Sequence, residues 1–507
     1  MMFCKSFFAC LTLVAACCSV WAKPPLPVDP SDRDASNPRN VRWAWPVIEW
    51  VGVGPRGEVR ELGAMPRPPE AEDATITVVV RNAGPVASAA LVLHGLPASA
   101  GDATVPELAP GERVERTFSL PTRDIPYGSM ITLHEAGGDA QAPPLDAFTL
   151  HGPAAHRVAL VATDESWQDG DVRFGSMARR FRASLDDLHT LFDSRGVVGM
   201  PEHGGDPSRP IIADRFRLEH IEAFDPDAGT PPLFAEHPQF DLVIAVNEGG
   251  PLCCFWLSDG DSVRYHSIGH NFLNTNFGEP RGIWSNWGEQ ALWHEIMHYR
   301  GVPDFYIYNI PAGALPGRSA DGWTLGSTPG TAHLRREIMN DTYTAPEFSW
   351  LTAFIAASKK GSSRVGACEN PLQPFGHMWT WIPARVLVEP VGTDEARLSA
   401  VRVFRSAPGE GRDARVQRIS ADAQPIASAA IGADEDPLVF AGDFMNGSAA
   451  RNERALWLLV EADAETASGI ETRWTILTLL ELNEAWARGS KHEWRFTPAW
   501  ESMQPIE

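Results

Sequence analysis

Cysteine is scarce in this chain of 507 residues, and its placement argues against a metal site built from thiolates. Seven cysteines are present, and four of them fall within the first 22 residues. The other three are Cys253, Cys254 and Cys368, and two neighbours in sequence rarely share one tetrahedral ion. In an oxidising compartment we expect one disulfide from Cys368 to a member of the adjacent pair, with Cys254 as our assignment.

Long apolar runs and an excess of positive charge are also missing. Beyond the N-terminus, no stretch approaches the roughly 18 consecutive apolar residues of a membrane-spanning helix, so we do not expect an integral membrane protein. The chain carries 65 acidic and 43 basic residues, which gives a formal net charge of −22. This balance argues against nucleic acid or an anionic membrane as a general partner.

The N-terminus has the pattern of an export signal. Lys5 precedes an apolar run at 7–16, and Val20-Trp21-Ala22 ends like a signal-peptidase site. We therefore expect a secreted, periplasmic or cell-surface protein of a bacterium. An alternative lies in the same segment, because residues 14–17 resemble a bacterial lipobox that would leave a lipidated Cys17 as the first mature residue.

The segment from Trp293 to Asp304 reads W-H-E-I-M-H-Y-R-G-V-P-D and contains the pattern H-E-x-x-H-x-x-G-x-x-D. A helix turns by about 100° and rises about 1.5 Å per residue, so His294 and His298 lie about one turn apart on the same face. This spacing lets two imidazoles bind one zinc ion, with Glu295 beside it facing the attacking water. The pattern predicts a catalytic zinc site on a helix.

The end of this helix offers a third ligand. Gly301 occupies the position of a left-handed C-cap, and Pro303 prevents the helix from resuming. We expect the chain to reverse at Gly301 and to return Asp304 to the metal. Three protein ligands leave a fourth position open for water, as a catalytic zinc site requires.

With Asp in its last position, the pattern resembles that of the metzincin metallopeptidases, in the snapalysin-like and immune-inhibitor-A-like branch where Asp replaces a third His. The family has a methionine turn beneath the zinc, downstream of the ligands. Residues 336–343, R-E-I-M-N-D-T-Y, fit that role, with Met339 as the floor residue. The resemblance covers about residues 155–365. Some metzincins carry a Tyr two residues after this Met; here that position is Asp341, and Tyr343 is the candidate hydrogen-bond donor to the oxyanion.

Two further features follow from the comparison with zinc peptidases. A capping box at 344–347 is expected to open a helix that runs to about Lys360, as the C-terminal helix of metzincins does. In gluzincins the third ligand is instead a Glu on a later helix, for which Glu337 is a candidate here, and His333 is another. With either alternative third ligand, the expected reaction is still zinc-dependent hydrolysis.

The implied activity is zinc-assisted hydrolysis of peptide bonds, with Glu295 as the general base. We expect a secreted, monomeric metalloendopeptidase with one catalytic Zn²⁺ that acts on extracellular proteins, peptides or glycoproteins. The alternative is a non-catalytic cell-surface or glycan-binding adhesion protein with a degenerate zincin domain. The intact Glu295 argues against this alternative, because a purely structural metal site does not need that carboxylate.

Patterning along the chain predicts a multidomain protein in which an α/β (α+β) metzincin-like zincin domain lies between two all-β sandwich domains. The predicted segments are a signal peptide at 1–22, a flexible leader at 23–42, an immunoglobulin-like sandwich at 43–152, the zinc metallopeptidase domain at 153–382 and a C-terminal sandwich at 383–507.

Individual elements can also be predicted from the spacing of apolar residues. Strands are expected at 156–163, 240–246 and 474–480. Between the first two of these, a helix is expected in which Met177, Phe181, Leu185 and Leu188 share one apolar face.

Overall fold

The computed structural model describes most of the chain between residues 43 and 506. The described residues are 43–54, 73–138, 142–152, 155–164, 167–168, 171, 176–193, 212–224, 240–247, 255–259, 262–269, 292–294, 296–297, 299–300, 302, 305, 317–319, 322–325, 337–339, 348–358, 381–408, 417–431, 438–441 and 457–506. This part of the chain is mostly β-sheet, with few helices and several small sheets, as in a multidomain α+β protein.

The chain divides into two compact units. The first contains Met1–His189, Asp214–Glu289 and Gly361–Ser363, and the second contains Thr190–Ala213, Gln290–Lys360 and Arg364–Glu507. In the described part of the chain, no helix is both long enough and apolar enough to cross a membrane.

The first unit opens with seven strands that form two antiparallel sheets. The strands are β1 (Pro46–Gly54), β2 (Asp73–Asn82), β3 (Leu91–His94), β4 (Thr104–Val105), β5 (Arg113–Pro121), β6 (Met130–Glu135) and β7 (Asp146–Thr149). Their orders are β1-β2-β5 and β4-β3-β6-β7. Side chains that alternate along each strand, such as Ile76 and Val78 on β2 and Ile131 and Leu133 on β6, meet in one apolar core. The two sheets therefore make a β-sandwich.

A five-stranded sheet follows in the same unit. Its strands are β8 (His156–Thr163), β9 (Phe216–Phe224), β10 (Leu242–Asn247), β11 (Phe255–Asp259) and β12 (Ser262–Gly269), in the order β11-β12-β10-β8-β9. All neighbours are parallel except β11, which pairs antiparallel with β12 at one edge. Every residue of β8 is buried, as expected for a parallel strand covered on both faces. The predicted strand at 156–163 is confirmed.

Helix α1 (Met177–Asp193) lies between β8 and β9 in the chain. Its residues Met177, Phe181, Leu185 and Leu188 are each at most 1% exposed, which confirms the predicted apolar face.

A buried carboxylate ties α1 to the sandwich within the first unit. Asp146, on β7, accepts hydrogen bonds from the backbone N–H of Ile48 at 2.9 Å and from the guanidinium groups of Arg182 at 2.7 Å and Arg179 at 3.2 Å. Burial alone would raise the pKa of Asp146, but the charges of Arg182 and Arg179 outweigh it and hold that pKa below its usual value. One side chain thus joins β1, β7 and α1.

The second unit contains the remaining described strands and two helices. In chain order they are β13 (Gly317–Ser319), β14 (Gly322–Leu325), α2 (Trp350–Ser358), β15 (Arg385–Val388), β16 (Arg397–Arg405), β17 (Ala407–Pro408), β18 (Gln417–Ser420), β19 (Ala427–Ala430), β20 (Leu438–Ala441), β21 (Trp457–Thr466), β22 (Gly469–Thr478), α3 (Leu479–Ala487), β23 (Glu493–Phe496) and β24 (Gln504–Pro505). The sheet orders are β13-β14-β18-β17, β20-β15-β23 and β19-β16-β21-β22-β24.

Helix α3 corrects the strand expected at 474–480. The strand β22 ends at Thr478, whose side chain accepts a hydrogen bond from the backbone N–H of Glu481, while the Glu481 side chain accepts one from the backbone N–H of Thr478. This capping box starts a helix at Leu479, so Leu479 and Leu480 belong to α3 rather than to the strand.

Aromatic contacts join α2 to α3 within the second unit. Trp350 stacks on Phe354 at 5.3 Å between ring centroids, and Phe354 meets Trp381 edge to face at 5.7 Å. Trp381 in turn stacks on Trp486 of α3 at 5.2 Å. Stacked and edge-to-face pairs of this kind are the preferred aromatic geometries, so α2 has a defined position against the C-terminal region.

We predict that Asp146→Asn will lower the free energy of unfolding by about 3–5 kcal/mol, because it leaves the buried guanidinium of Arg182 without its counter-charge. Chemical denaturation followed by fluorescence measures this change. Asp102→Asn in the same sandwich serves as the control, since Asp102 is exposed, and it should have a much smaller effect. Equal stability of Asp146→Asn and the unmodified protein would contradict the prediction.

Candidate metal centre

The described part of the H-E-x-x-H segment is a buried helix. Residues 292–294, 296–297 and 299 are helical, and we call this element the motif helix. Leu292, Ile296 and Met297 are each at most 2% exposed, and His294 is 4% exposed. The described side chains of this helix are buried, and a buried polar imidazole needs a specific partner.

The motif helix ends in the way the sequence predicts. The backbone N–H of Arg300 donates to the carbonyl of Ile296, and that of Val302 donates to the carbonyl of Met297, both at 3.0 Å. The second bond spans five residues, which is the six-to-one bond of a Schellman ending, and both Val302 and Met297 are fully buried. These bonds agree with the predicted C-terminus of the helix.

A backbone carbonyl lies at hydrogen-bond distance from His294. Its Nδ1 lies 3.0 Å from the carbonyl oxygen of Ile338. A carbonyl oxygen only accepts hydrogen bonds, so the neutral ring carries its proton on Nδ1 and keeps the lone pair on Nε2. This is the tautomer that a histidine uses to bind zinc through Nε2.

Residues 337–339, which we call the 337–339 turn, bring several segments of the second unit together. The carbonyl of Met339 accepts a hydrogen bond at 2.8 Å from the backbone N–H of Phe305, which directly follows Asp304 in the sequence. Ile338 contacts the motif helix through His294. Met339 and Ile338 are both fully buried. The 337–339 turn therefore lies against the motif helix and against Phe305.

Glu337 contacts the start of α2. Its Oε2 accepts hydrogen bonds from the backbone N–H of Ser349 at 2.9 Å and from the hydroxyl of Thr352 at 2.6 Å. Ser349 caps α2, since its Oγ accepts a hydrogen bond from the backbone N–H of Thr352 at 3.1 Å. These bonds favour a structural role for Glu337 over the alternative role of third metal ligand.

Several predicted residues lie outside the described residues. These are Glu295, His298, Asp304, Tyr343, Cys254 and Cys368, together with the alternative ligand His333, the lipobox residue Cys17 and the capping segment at 344–347. Of the predicted site residues, the structure describes His294, Met339 and the alternative ligand Glu337, and it brings their segments together.

Sequence reasoning missed the partners of these residues. The Ile338 carbonyl has no signature in the sequence, because every residue carries a backbone carbonyl. The contact from Glu337 to α2 had a weak signal in the S-x-x-T spacing of Ser349 and Thr352, which is typical of a helix N-terminus.

A second cluster of ligand-type side chains lies in the first unit. His151, Asp186 and His189 place one ligand atom each within 4.8 Å of the others. Asp186 Oδ1 is 3.8 Å from His151 Nε2 and 3.9 Å from His189 Nδ1, and the two imidazoles meet edge to face at 4.4 Å.

The hydrogen bonds of His189 argue against a metal ion in this cluster. The backbone N–H of Phe216 donates to His189 Nε2 at 2.8 Å, so the neutral ring keeps its proton on Nδ1, the atom that faces Asp186. A metal at Nδ1 would have to displace that proton and leave the ring as an imidazolate. This cluster fits a metal less well than His294 does, whose Nε2 has the lone pair.

Comparisons with known proteins add little. No family model matches this chain, and no curated protein matches it. Among solved structures, the chain has a weak likeness to β-glucuronidase 2 of Bacteroides uniformis, covalently bound to cyclophellitol-6-carboxylate aziridine. The two are 10% identical with a TM-score of 0.15, and the match covers 89% of this chain and 63% of that enzyme. A TM-score this low carries no argument about fold or activity.

We predict that His189 makes the protein less stable as the pH falls. Burial lowers the pKa of His189 well below its usual value, and the nearby charges of His151 and Arg215 lower it further. Below pH about 6.5 the unfolded chain binds a proton that the folded chain does not, so the free energy of unfolding falls with pH until the folded pKa is reached.

The measurement is chemical denaturation between pH 8 and pH 5 on the unmodified protein and on His189→Gln, which stays neutral and offers an oxygen acceptor. The difference between their slopes should reach up to about 1.4 kcal/mol per pH unit, the value for one proton. Parallel slopes for the two proteins would show that His189 titrates normally in the folded state.

Proposed function

We propose that this protein is an exported zinc metalloendopeptidase of metzincin type. The observation that carries the proposal is the hydrogen bond between His294 Nδ1 and the Ile338 carbonyl, combined with the H-E-x-x-H pattern in which His294 stands. Any buried imidazole needs a partner for its ring N–H, so it is the pattern, two histidines one helical turn apart with Glu between them, that points to a metal. Here the bond places the ring proton on Nδ1, the tautomer with which a histidine binds zinc through Nε2.

The proposed ligands are His294, His298 and Asp304. Helical spacing presents the two imidazoles on one face. Support for Asp304 comes from both sides of it in the sequence: the Schellman ending at Val302 reverses the chain, and Phe305 is bonded to Met339 of the 337–339 turn. The donor set of two neutral imidazoles and one carboxylate suits zinc and leaves an open position, as catalytic sites require.

The protein residues perform the proton transfers. A bound zinc ion would supply Lewis acidity and a lowered pKa for the attacking water. Glu295 accepts the proton of that water and later delivers it to the leaving amine. Tyr343 donates a hydrogen bond to the oxyanion of the tetrahedral intermediate. Met339 forms the floor of the site.

The substrate class follows from export and from the flanking β-rich regions. An enzyme released from the cell, or anchored outside it, meets extracellular proteins, peptides and glycoproteins. The sandwich in the first unit and the β-sheets of the C-terminal region are binding or stabilising modules around the peptidase domain. The excess of acidic residues suits an exported protein without directing it to nucleic acid.

We predict that the protein cleaves casein or gelatin, and that a zinc chelator abolishes cleavage. Glu295→Gln should keep bound zinc but lower the rate by about 10²–10⁴-fold, because it removes the general base. Glu395→Gln, at an exposed position, is the matched control and should keep full activity. Chelator-insensitive cleavage, or full activity of Glu295→Gln, would remove this mechanism; inactivity on a broad peptide library despite bound zinc would favour the adhesion alternative.

We predict that Asp304→Ala lowers the affinity for zinc by tenfold or more, since it removes one of three protein ligands. Zinc content after dialysis, measured by elemental analysis, gives the answer directly. Asp394→Ala, which removes an exposed acidic side chain elsewhere in the second unit, should retain zinc in full. Full zinc occupancy in Asp304→Ala would reject Asp304 as a ligand and leave His333 and Glu337 as the candidates for the third ligand.

A further inference from the structure

Glu337 is a carboxylate in an unusually enclosed position. It is 0% exposed, as are its two hydrogen-bond donors Ser349 and Thr352. Burying a carboxylate is costly unless strong hydrogen bonds compensate for the lost water. Here the backbone N–H of Ser349 and the Thr352 hydroxyl provide two of them, at 2.9 and 2.6 Å. The positive end of the α2 dipole adds a favourable interaction with the negative charge.

The start of α2 is a fixed point in the second unit. Trp350, its first residue, stacks on Phe354, and the guanidinium of Arg488 lies 4.3 Å from the centroid of the Trp350 ring. Phe354 is packed in turn against Trp381. Because α2 is well packed, a carboxylate that is hydrogen-bonded to its N-terminus is held in a fixed position.

The residues that follow Glu337 make the contacts that matter for the proposed metal site. The carbonyl of Ile338, one residue on, accepts the hydrogen bond from His294. The carbonyl of Met339, two residues on, accepts the hydrogen bond from Phe305. Three consecutive residues thus connect α2, the motif helix and the residue after Asp304, and the carboxylate of Glu337 is the side chain that anchors them.

We propose that Glu337 is a positioning residue for the metal site, a role that rests on the proposed function. By binding the N-terminus of α2, it holds the Ile338 carbonyl where His294 must donate, which fixes the tautomer and the direction of Nε2. The same anchor keeps the Met339 carbonyl in place for Phe305, and so restrains the chain at Asp304. Glu337 itself does not bind the metal.

The expected effect is on metal affinity. Partners that orient metal ligands contribute about 10–100-fold to metal binding when they are removed. Glu337→Gln keeps the shape of the side chain and removes its charge. Thr352→Val keeps the shape of its partner and removes the hydroxyl donor. We expect each variant to raise the dissociation constant for zinc by about tenfold or more.

The experiment measures zinc affinity by chelator competition on the full-length exported protein, at a temperature well below its melting transition. Co²⁺ replaces zinc in a second measurement, because its visible spectrum reports ligand geometry. Thr352→Ser retains the hydroxyl and should restore near-normal affinity. Glu112→Gln is the matched control: it alters an exposed carboxylate of the first unit that also accepts a hydrogen bond from a backbone N–H, that of Ala109, and should leave zinc binding unchanged.

Weaker zinc binding and an altered Co²⁺ spectrum in both Glu337→Gln and Thr352→Val, with the control unaffected, is the result we expect. A lower melting temperature with unchanged zinc affinity and spectrum would overturn the inference, because it would make the contact merely structural. Loss of zinc in Glu337→Gln with normal binding in Thr352→Val would also overturn it and make Glu337 a direct ligand. Failure of the unmodified protein to bind zinc would instead overturn the proposed function, and the inference with it.

Discussion

The hydrogen bond from His294 to the Ile338 carbonyl is the interaction on which the account of this protein depends. His294 is 4% exposed and lies in an apolar helix, where burying an imidazole is costly unless its ring nitrogens form hydrogen bonds or bind a metal. The bond at 3.0 Å satisfies Nδ1 and determines which nitrogen keeps its lone pair. In the first unit His189 shows the opposite arrangement, with the N–H of Phe216 bonded to Nε2. The backbone group at hydrogen-bond distance therefore determines the tautomer of each histidine.

Long-range polar contacts of buried side chains recur in both units. Asp146 joins β1, β7 and α1 in the first unit, and Glu337 joins the 337–339 turn to α2 in the second. In each case a buried carboxylate accepts hydrogen bonds from donors on an element other than its own. Such a group is costly when a partner is missing, so it selects one arrangement of the elements around it. This selection is what a site with several ligands on different segments requires.

Elements that are determined by a local sequence pattern could be predicted from the sequence. Features that depend on contacts between distant segments could not. The strand at 156–163 was recognisable because a parallel strand covered on both faces must be apolar at nearly every position. The apolar face of α1 and the end of the motif helix were recognisable for similar reasons of spacing and glycine chemistry. Helix α3 was missed although its T-x-x-E capping box was present, because the apolar run Trp474 to Leu480 resembled a continuous strand. The partner of His294 is 44 residues away in sequence and the partners of Asp146 are 33–98 residues away, and no local pattern identifies them.

The most direct test of the central claim is X-ray absorption at the zinc edge on the purified protein, with His294→Gln beside it. The account predicts nitrogen and oxygen ligands at about 2.0–2.1 Å, with outer-shell scattering from two imidazoles that falls to one in the variant. A sulfur shell at about 2.3 Å, or a spectrum that is the same in His294→Gln, would contradict it.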